Sequence, residues 1–311
     1  MSVVTDVAAA VIERPDGTFL LAQRPQGKPY PGYWEFPGGK IERGEEPHAA
    51  LARELAEELG IAVRAATPWI TRVYAYTHAT VRLHFFRVTA WDGEPQPLED
   101  QAIRWQRVGA PDVEPMLPAN APVLASLALP AVMVVSSAGD NGIDWWIEKL
   151  TARAFAESLL VQIREKGMPH LKLQHMLSRA LARTEGFGSR VVVNSDCGAF
   201  PQASGVHLTS KALKDSTTRP AGELVGASCH DEHELEHAAR LDLDYVVVGP
   251  VLATPSHPDA KPLGWDRFAA LVRDRPMPAY AIGGMRRSLV GEARRHGAHG
   301  VALRSRAFED S

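Results

Sequence analysis

Between Pro47 and Gly60 apolar residues return every fourth position, at Leu51, Leu55 and Leu59. That spacing lines them up as one stripe along an α-helix. Pro47 suits the first helical turn, where its missing N–H is no loss, and Gly60 suits a left-handed stop. Ahead of this helix, the Val- and Ala-rich run Val3–Ile12 and the run Phe19–Gln23 read as strands. The Arg14–Gly17 turn between them predicts a hairpin. Arg24–Gly32, with three prolines and two glycines, reads as a loop, and Trp34–Gly39 as the segment that leads into the helix. After it, Val63–Tyr76 and Thr80–Ala90 read as strands, the second alternating well, and Gln101–Val108 as a short last one. Leu117–Val123 opens a terminal helix, with Asn120 as a natural cap.

Beyond Leu127–Ala131 the pattern changes to alternating strand and helix, which predicts two domains, 1–129 and 131–311, without a long tether. The predicted strands of the second are Val132–Ser136, Leu159–Arg164, Val191–Asn194, Gly205–Leu208, Leu224–Ser228, Tyr245–Gly249, Ala279–Gly283 and Gly300–Leu303. Asp144–Glu157, His170–Arg183 and Glu232–Arg240 read as helices between them. A (β/α)8 barrel usually needs about 200 residues or more, so several connections must be short. On the pattern alone, an open α/β sheet is the alternative.

Composition fits a globular protein, with 45% hydrophobic and 23% charged residues in 311. A formal charge of −3 carries no polyelectrolyte signature, so binding to long nucleic acid is not expected. Cys197 and Cys229 form neither a disulfide framework nor a zinc spacing, and a cytoplasmic setting is expected. Asp6 interrupts the first apolar run, which lacks a basic start, so no signal peptide is expected. The longest apolar stretch, Ala121–Val135, contains two prolines and is too short for a membrane span. Oligomeric state is not legible at this level.

The chemistry concentrates on the first helix. Glu54, Glu57 and Glu58 fall at i, i+3 and i+4 on one face. Like charges so placed cost a helix about 0.2–0.5 kcal/mol per pair. Clustered hard oxygen ligands suit Mg²⁺, with Mn²⁺ as the alternative. Glycines in Trp34–Gly39 let a backbone carbonyl approach a cation or a phosphate closely.

Gly39, Glu45 and Arg53-Glu54-Leu55-Ala56-Glu57-Glu58-Leu59-Gly60-Ile61 match the Nudix box without a departure. Trp34–Glu42, Trp91–Pro95 and Pro118–Val123 extend the resemblance to the 8-oxo-dGTP diphosphatases of the MutT type, over about residues 5–128. It implies a Nudix α/β/α sandwich with a mixed sheet and a nucleoside triphosphate substrate. The implied reaction is hydrolysis of 8-oxo-dGTP to 8-oxo-dGMP and pyrophosphate. The resemblance further implies metal on the Gly38 carbonyl, Glu54, Glu57 and Glu58. Glu99 would be a further carboxylate, as ligand or base, and Arg53 would orient the acids. Glu45 is expected to hold the loop. Asn120 would read the oxidised purine, while Arg24, Glu35, Phe36, Pro37 and Gly38 would line the nucleotide site. Phe36 either stacks on the base or fills core. Where the family type has a histidine in the substrate loop, this chain has Pro29, with Lys28 and His78 nearby.

In the second half, Val161–Lys166, Val192–Asn194, Gly205–Leu208, Asp244–Val251, Ala281–Gly284 and Gly297–Ala302 resemble thiamine-phosphate synthase and thiazole tautomerase, over about residues 131–308. This implies a (β/α)8 TIM barrel with motifs at the carboxyl ends of strands. Gly283 and Gly284 match a phosphate loop, and Arg164, Lys166, Asn194, Ser228 and Lys261 match ligand-side positions. Two carboxylates of the synthase pattern are replaced, as Asn194-Ser195 and as Thr209-Ser210-Lys211 after Leu208. The expectation is a degenerate barrel or one that binds a phosphorylated ligand. His230 is a candidate acid–base group or a plain helix-start residue. His233 and His237 read as a solvated face, Cys197 and Cys229 as small buried residues, and Trp145-Trp146 as packing. A thiamine-pathway enzyme whose Nudix domain clears toxic diphosphate analogues is the alternative, and a barrel that only binds and tunes is the third reading.

Overall fold

A computed structural model describes residues 4–77, 79–254, 261–304 and 307–309. His78 and Val3 lie outside the described residues. The chain falls into two units, built mainly on the residues up to Ala128 and on those from Leu129 onward.

The first unit runs β1 (Val4–Ile12), β2 (Thr18–Gln23), β3 (Trp34–Glu35), β4 (Gly38–Lys40), α1 (Pro47–Leu59), β5 (Ala62–Ala75), β6 (Thr80–Asp92), β7 (Ile103–Arg107) and α2 (Ala121–Leu127). A mixed sheet has the order β4-β1-β6-β5, with β1 and β6 parallel. The antiparallel trio β3-β2-β7 forms a second sheet. Along β1, Ala8, Ala10 and Ile12 pack with Leu51, Leu55 and Leu59 of α1. Their alternates Ala9 and Val11 pack with Val123 and Leu127 of α2. A strand covered on both faces needs apolar residues at every position, which is why this segment shows no alternation. The result is the α/β/α sandwich with a mixed sheet that the resemblance implied.

The expected hairpin is corrected. The turn forms, with the Gly17 N–H donating to the Arg14 carbonyl at 3.0 Å and Glu13 bridging Phe19. The strands then part into different sheets, because β4 and β6 take the edges of β1 while β3 and β7 take those of β2. The lead-in segment also holds two short strands, β3 and β4, which the pattern did not show.

The second unit begins with β8 (Val132–Val135), α3 (Ala138–Asn141), α4 (Ile143–Ala156), β9 (Leu160–Ile163), α5 (His170–Thr184), β10 (Arg190–Asn194), β11 (Gly205–Leu208) and α6 (Ser210–Asp215). It continues with β12 (Leu224–Cys229), α7 (Glu232–Arg240), β13 (Tyr245–Val248), α8 (Gly264–Val272), β14 (Ala279–Ile282), α9 (Val290–Arg295) and β15 (Gly300–Leu303). The strands are parallel, and β15 pairs with β8 to close a barrel, which removes the open-sheet alternative. Economy comes from short connectors such as the six-residue α6 and α9. Met133, Leu160, Val192, Tyr245 and Tyr280 fill the interior, the packed centre expected of a (β/α)8 barrel. Trp146 is fully buried, whereas Trp145 is partly exposed beside Phe308. Cys229 is buried and Cys197 only half-buried. Among the described residues no helix is long and apolar enough to cross a membrane.

Candidate active site

Helix α1 sets the first site. Pro47 starts it, and Gly60 ends it in the left-handed region at φ 67°, donating its N–H to the Ala56 carbonyl. Its leucine stripe is pinned beneath β1, so Arg53, Glu54, Glu57 and Glu58 run along another edge. Arg53 is the hub of that edge. Its guanidinium grips Glu45 through Nε at 3.0 Å and Nη2 at 2.9 Å, and donates to the Lys40 carbonyl at 3.0 Å. Nη1 donates to Glu54 at 2.8 Å and to Glu57 at 3.3 Å. A fork with five donors can serve several carboxylates at once. Glu45 also accepts the Glu42 N–H at 3.0 Å, and so braces the loop ahead of the helix.

Glu58 is 9% exposed. Its Oε2 accepts the Gly38 N–H at 3.1 Å, and Oε1 lies 3.6 Å from Lys28 Nζ. Burial pushes its carboxyl up to about 7, against the pull of the Gly38 N–H and Lys28. Glu99 follows β6 on an exposed loop and meets the same Lys28 Nζ at 2.9 Å. Its N–H donates to Gln101 at 2.6 Å, and Gln101 donates to the Glu58 carbonyl at 3.0 Å. Gln101 therefore ties the Glu99 loop to the end of α1. Neither Gln101 nor the Lys28 bridge was found by sequence reasoning; an amide two residues past an expected carboxylate was the available signal.

Arg24 donates through Nη1 to both oxygens of Glu35, at 2.7 and 2.6 Å, and through Nε to the Pro29 carbonyl at 2.6 Å. Burial raises the Glu35 pKa although Arg24 opposes it. Arg24 and Glu35 are thus a mutually neutralised pair at the root of the Arg24–Gly32 loop. Phe36 is buried against Phe19 and Phe85, with ring centroids 5.8 and 5.5 Å away. Its ring fills core, which corrects the stacking reading. Pro37 is buried as well, its carbonyl accepting the Ala10 N–H at 2.8 Å. Asn120 occupies the N-cap position of α2, as expected, but its side chain makes no capping bond. It closes a 3-10 turn, Pro118–Asn120, and its buried amide donates to the Trp34 carbonyl at 3.3 Å.

Among the described residues no three acids, imidazoles or thiols stand together as a formed metal centre; Arg53 and Lys28 each hold carboxylates of the cluster. The donor set nonetheless suits a hard divalent ion. It offers several carboxylates, and Gly39 lies directly under the Glu54 carboxylate, where any Cβ would collide with it. Mg²⁺ prefers oxygen donors of this kind.

At the barrel's strand ends, Arg164 and Lys166 face Asp196, at 3.7 and 3.8 Å. Asn194 accepts the Asp196 N–H at 3.2 Å, and Ser195 accepts the Thr209 N–H at 3.1 Å. Ser228 Oγ is 2.9 Å from His207 Nε2, whose Nδ1 is 3.1 Å from the Tyr245 hydroxyl. Burial pushes His207 down to about 3, so the imidazole is neutral. This buried link was missed although His207 lies within the quoted Gly205–Leu208 motif. His230 is exposed; its Nδ1 is 2.8 Å from the Gly249 carbonyl, and its N–H donates to Glu234. His237 contacts the Ser216 carbonyl while His233 is exposed, as on a polar face. Gly283 and Gly284 follow β14 with φ of 93° and 67°, packed against Pro250 and Leu252. Lys261 is exposed ahead of α8.

Residues 4–127 match the family model for the NUDIX domain, and residues 132–307 match that for thiamine monophosphate synthase. The CTP pyrophosphohydrolase of Escherichia coli is 40% identical over 40% of this chain and 93% of its own length. The 8-oxo-dGTP diphosphatase of Haemophilus influenzae is 36% identical over 40% of this chain and 91% of its own length. The chain belongs to the Nudix hydrolases. Its second half belongs to the thiamine-phosphate synthase family. There, the thiamine-phosphate synthase of Chloroflexus aurantiacus is 33% identical over 46% of this chain and 69% of its own length. This Nudix hydrolase thus carries its acidic helix in one unit and a thiamine-phosphate synthase barrel in the other.

Proposed function

We propose that the Nudix domain hydrolyses 8-oxo-dGTP, and related oxidised purine nucleoside triphosphates, to the monophosphate and pyrophosphate, and so cleanses the nucleotide pool. The observation that carries this reading is the acidic edge of α1 gathered around Arg53 and facing Gly38 and Gly39. Glu54, Glu57, Glu58 and Glu99, with the Gly38 carbonyl, would hold Mg²⁺ or Mn²⁺. Bound there, the ion supplies charge neutralisation of the phosphates and lowers the pKa of water. The protein's own residues do the remaining work. Arg53 orients Glu54 and Glu57, the Gly38 N–H fixes Glu58, and Gln101 positions Glu99.

The purine would be read near Asn120, whose amide offers both a donor and an acceptor. Asn120→Ala is expected to reduce the kcat/KM preference for 8-oxo-dGTP over dGTP on the order of tenfold, the worth of one or two hydrogen bonds. An unchanged ratio would move base reading elsewhere.

The deciding experiment is a substrate panel of 8-oxo-dGTP, dGTP, 8-oxo-GTP, CTP and thiamine diphosphate, with Mg²⁺ and with chelator. Chelator-sensitive preference for 8-oxo-dGTP supports the reading, and activity indifferent to chelator overturns it. The relative that acts on CTP favours a second reading, a pyrimidine triphosphate substrate, which the same panel separates. For the barrel, Thr209-Ser210-Lys211 after Leu208, where the synthase pattern has an acid, favours a degenerate or ligand-binding role over synthesis. Thermal shifts with thiamine phosphate, paired with a turnover assay, distinguish binding from thiamine-pathway catalysis.

A further inference from the structure

Three cations serve the carboxylates of the first site, and they are held very differently. Arg53 is fixed by Glu45 and the Lys40 carbonyl as well as by the acids it orients. Arg24 is fixed by Glu35 and the Pro29 carbonyl. Lys28 extends from the loop between β2 and β3. Its side chain is 45% exposed, and it joins two acids from separate elements, Glu58 of α1 and Glu99 of the loop after β6. Its charge therefore lies between two of the carboxylates expected to hold metal.

We propose that Lys28 is a tethered stand-in for the divalent ion: it neutralises Glu58 and Glu99 in the metal-free site and moves to the substrate's phosphates when metal and nucleotide arrive. This rests on the metal-dependent hydrolase reading. An ammonium and a dication repel strongly at contact distance, and more so where water is scarce, so they cannot share these two acids. An ammonium is a compact point charge on a flexible stem, suited to changing partners without a fixed geometry. Once displaced, it remains beside the site as a positive charge for a polyphosphate. Metal and nucleotide then promote each other's binding, because the metal's arrival releases the cation that the nucleotide uses.

The test is Mn²⁺ uptake by the full-length, nucleotide-free protein, read as loss of the free-ion EPR signal, for the unaltered chain, Lys28→Gln and Lys28→Arg. Removal of the competing charge is expected to tighten Mn²⁺ binding on the order of fivefold, while Lys28→Arg stays near the unaltered value. A non-hydrolysable α,β-methylene analogue of dGTP should strengthen Mn²⁺ binding in the unaltered chain and do so less in Lys28→Gln. Equal or weaker Mn²⁺ binding in Lys28→Gln, with thermal unfolding showing an intact fold, overturns the role of Lys28 and leaves the hydrolase reading standing. Failure of the unaltered chain to take up Mn²⁺ would bring down both.

Discussion

Glu58→Gln is expected to lower turnover of the preferred nucleoside triphosphate about 1,000-fold, the scale of losing one preorganised electrostatic group, while the folded state is kept. The two effects separate because of what Glu58 is in the metal-free protein. Its carboxyl is buried, takes the Gly38 N–H, and is pushed up to about 7. A neutral amide resembles the protonated acid in shape and can still accept the Gly38 N–H, so the fold loses little. The metal loses an anionic oxygen, which no amide replaces. The same reasoning fixes a pH dependence. An unfolded glutamate titrates near 4.5 and the folded one near 7, so between those values the folded state binds more protons. The contribution of Glu58 to metal-free stability is therefore full below about 4.5 and is lost as pH rises through 7. Thermal melts across that range should show the decline, and Glu58→Gln should flatten it. Glu57→Gln should also impair turnover. Normal activity in both variants contradicts the metal assignment.

Much of the scaffold around these acids could be read from local chemistry. Pro47 and Gly60 bounded α1 because one lacks an N–H and the other tolerates positive φ, and the helix runs Pro47–Leu59. The barrel strands were legible because each is a short apolar run bounded by turn residues. What was not legible depends on neighbours distant in the chain. Whether the strands around Arg14–Gly17 stay paired depends on which strands take their other edges. Whether Phe36 stacks or fills core depends on Phe85, on another strand. Asn120 sits at the cap position, yet one of its amide donors goes to Trp34, far away in sequence, and not to the helix. Lys28 and Glu99 are 71 positions apart, and no periodicity reports such a pairing.

The second large effect separates the site from the fold at a single carbon atom. Gly39→Ala is expected to lower turnover about 100-fold or more while changing stability by only about 1 kcal/mol or less. Gly39 lies in β4 opposite Ala8, and its backbone is not in the left-handed region, so an alanine there meets no backbone strain. What a Cβ would meet is the Glu54 carboxylate, at the far end of a flexible side chain. The cheap response is for Glu54 to swing away, which also parts it from Arg53 Nη1. The neighbouring glycine provides the contrast. Gly38 has φ 139°, and a Cβ there would strike the Ala8 carbonyl, which cannot step aside. Gly38→Ala should therefore cost about 2 kcal/mol or more in stability. Melting curves and steady-state rates on both variants check the pair. The double variant Gly39→Ala with Glu54→Asp provides a further control, since shortening the acid by one methylene restores the room that the new methyl takes. Non-additive recovery of turnover is expected, because the two positions are in contact. Full activity in Gly39→Ala alone would mean that the Glu54 carboxylate is free to work from another place, and that its position under Arg53 is not the one the chemistry needs.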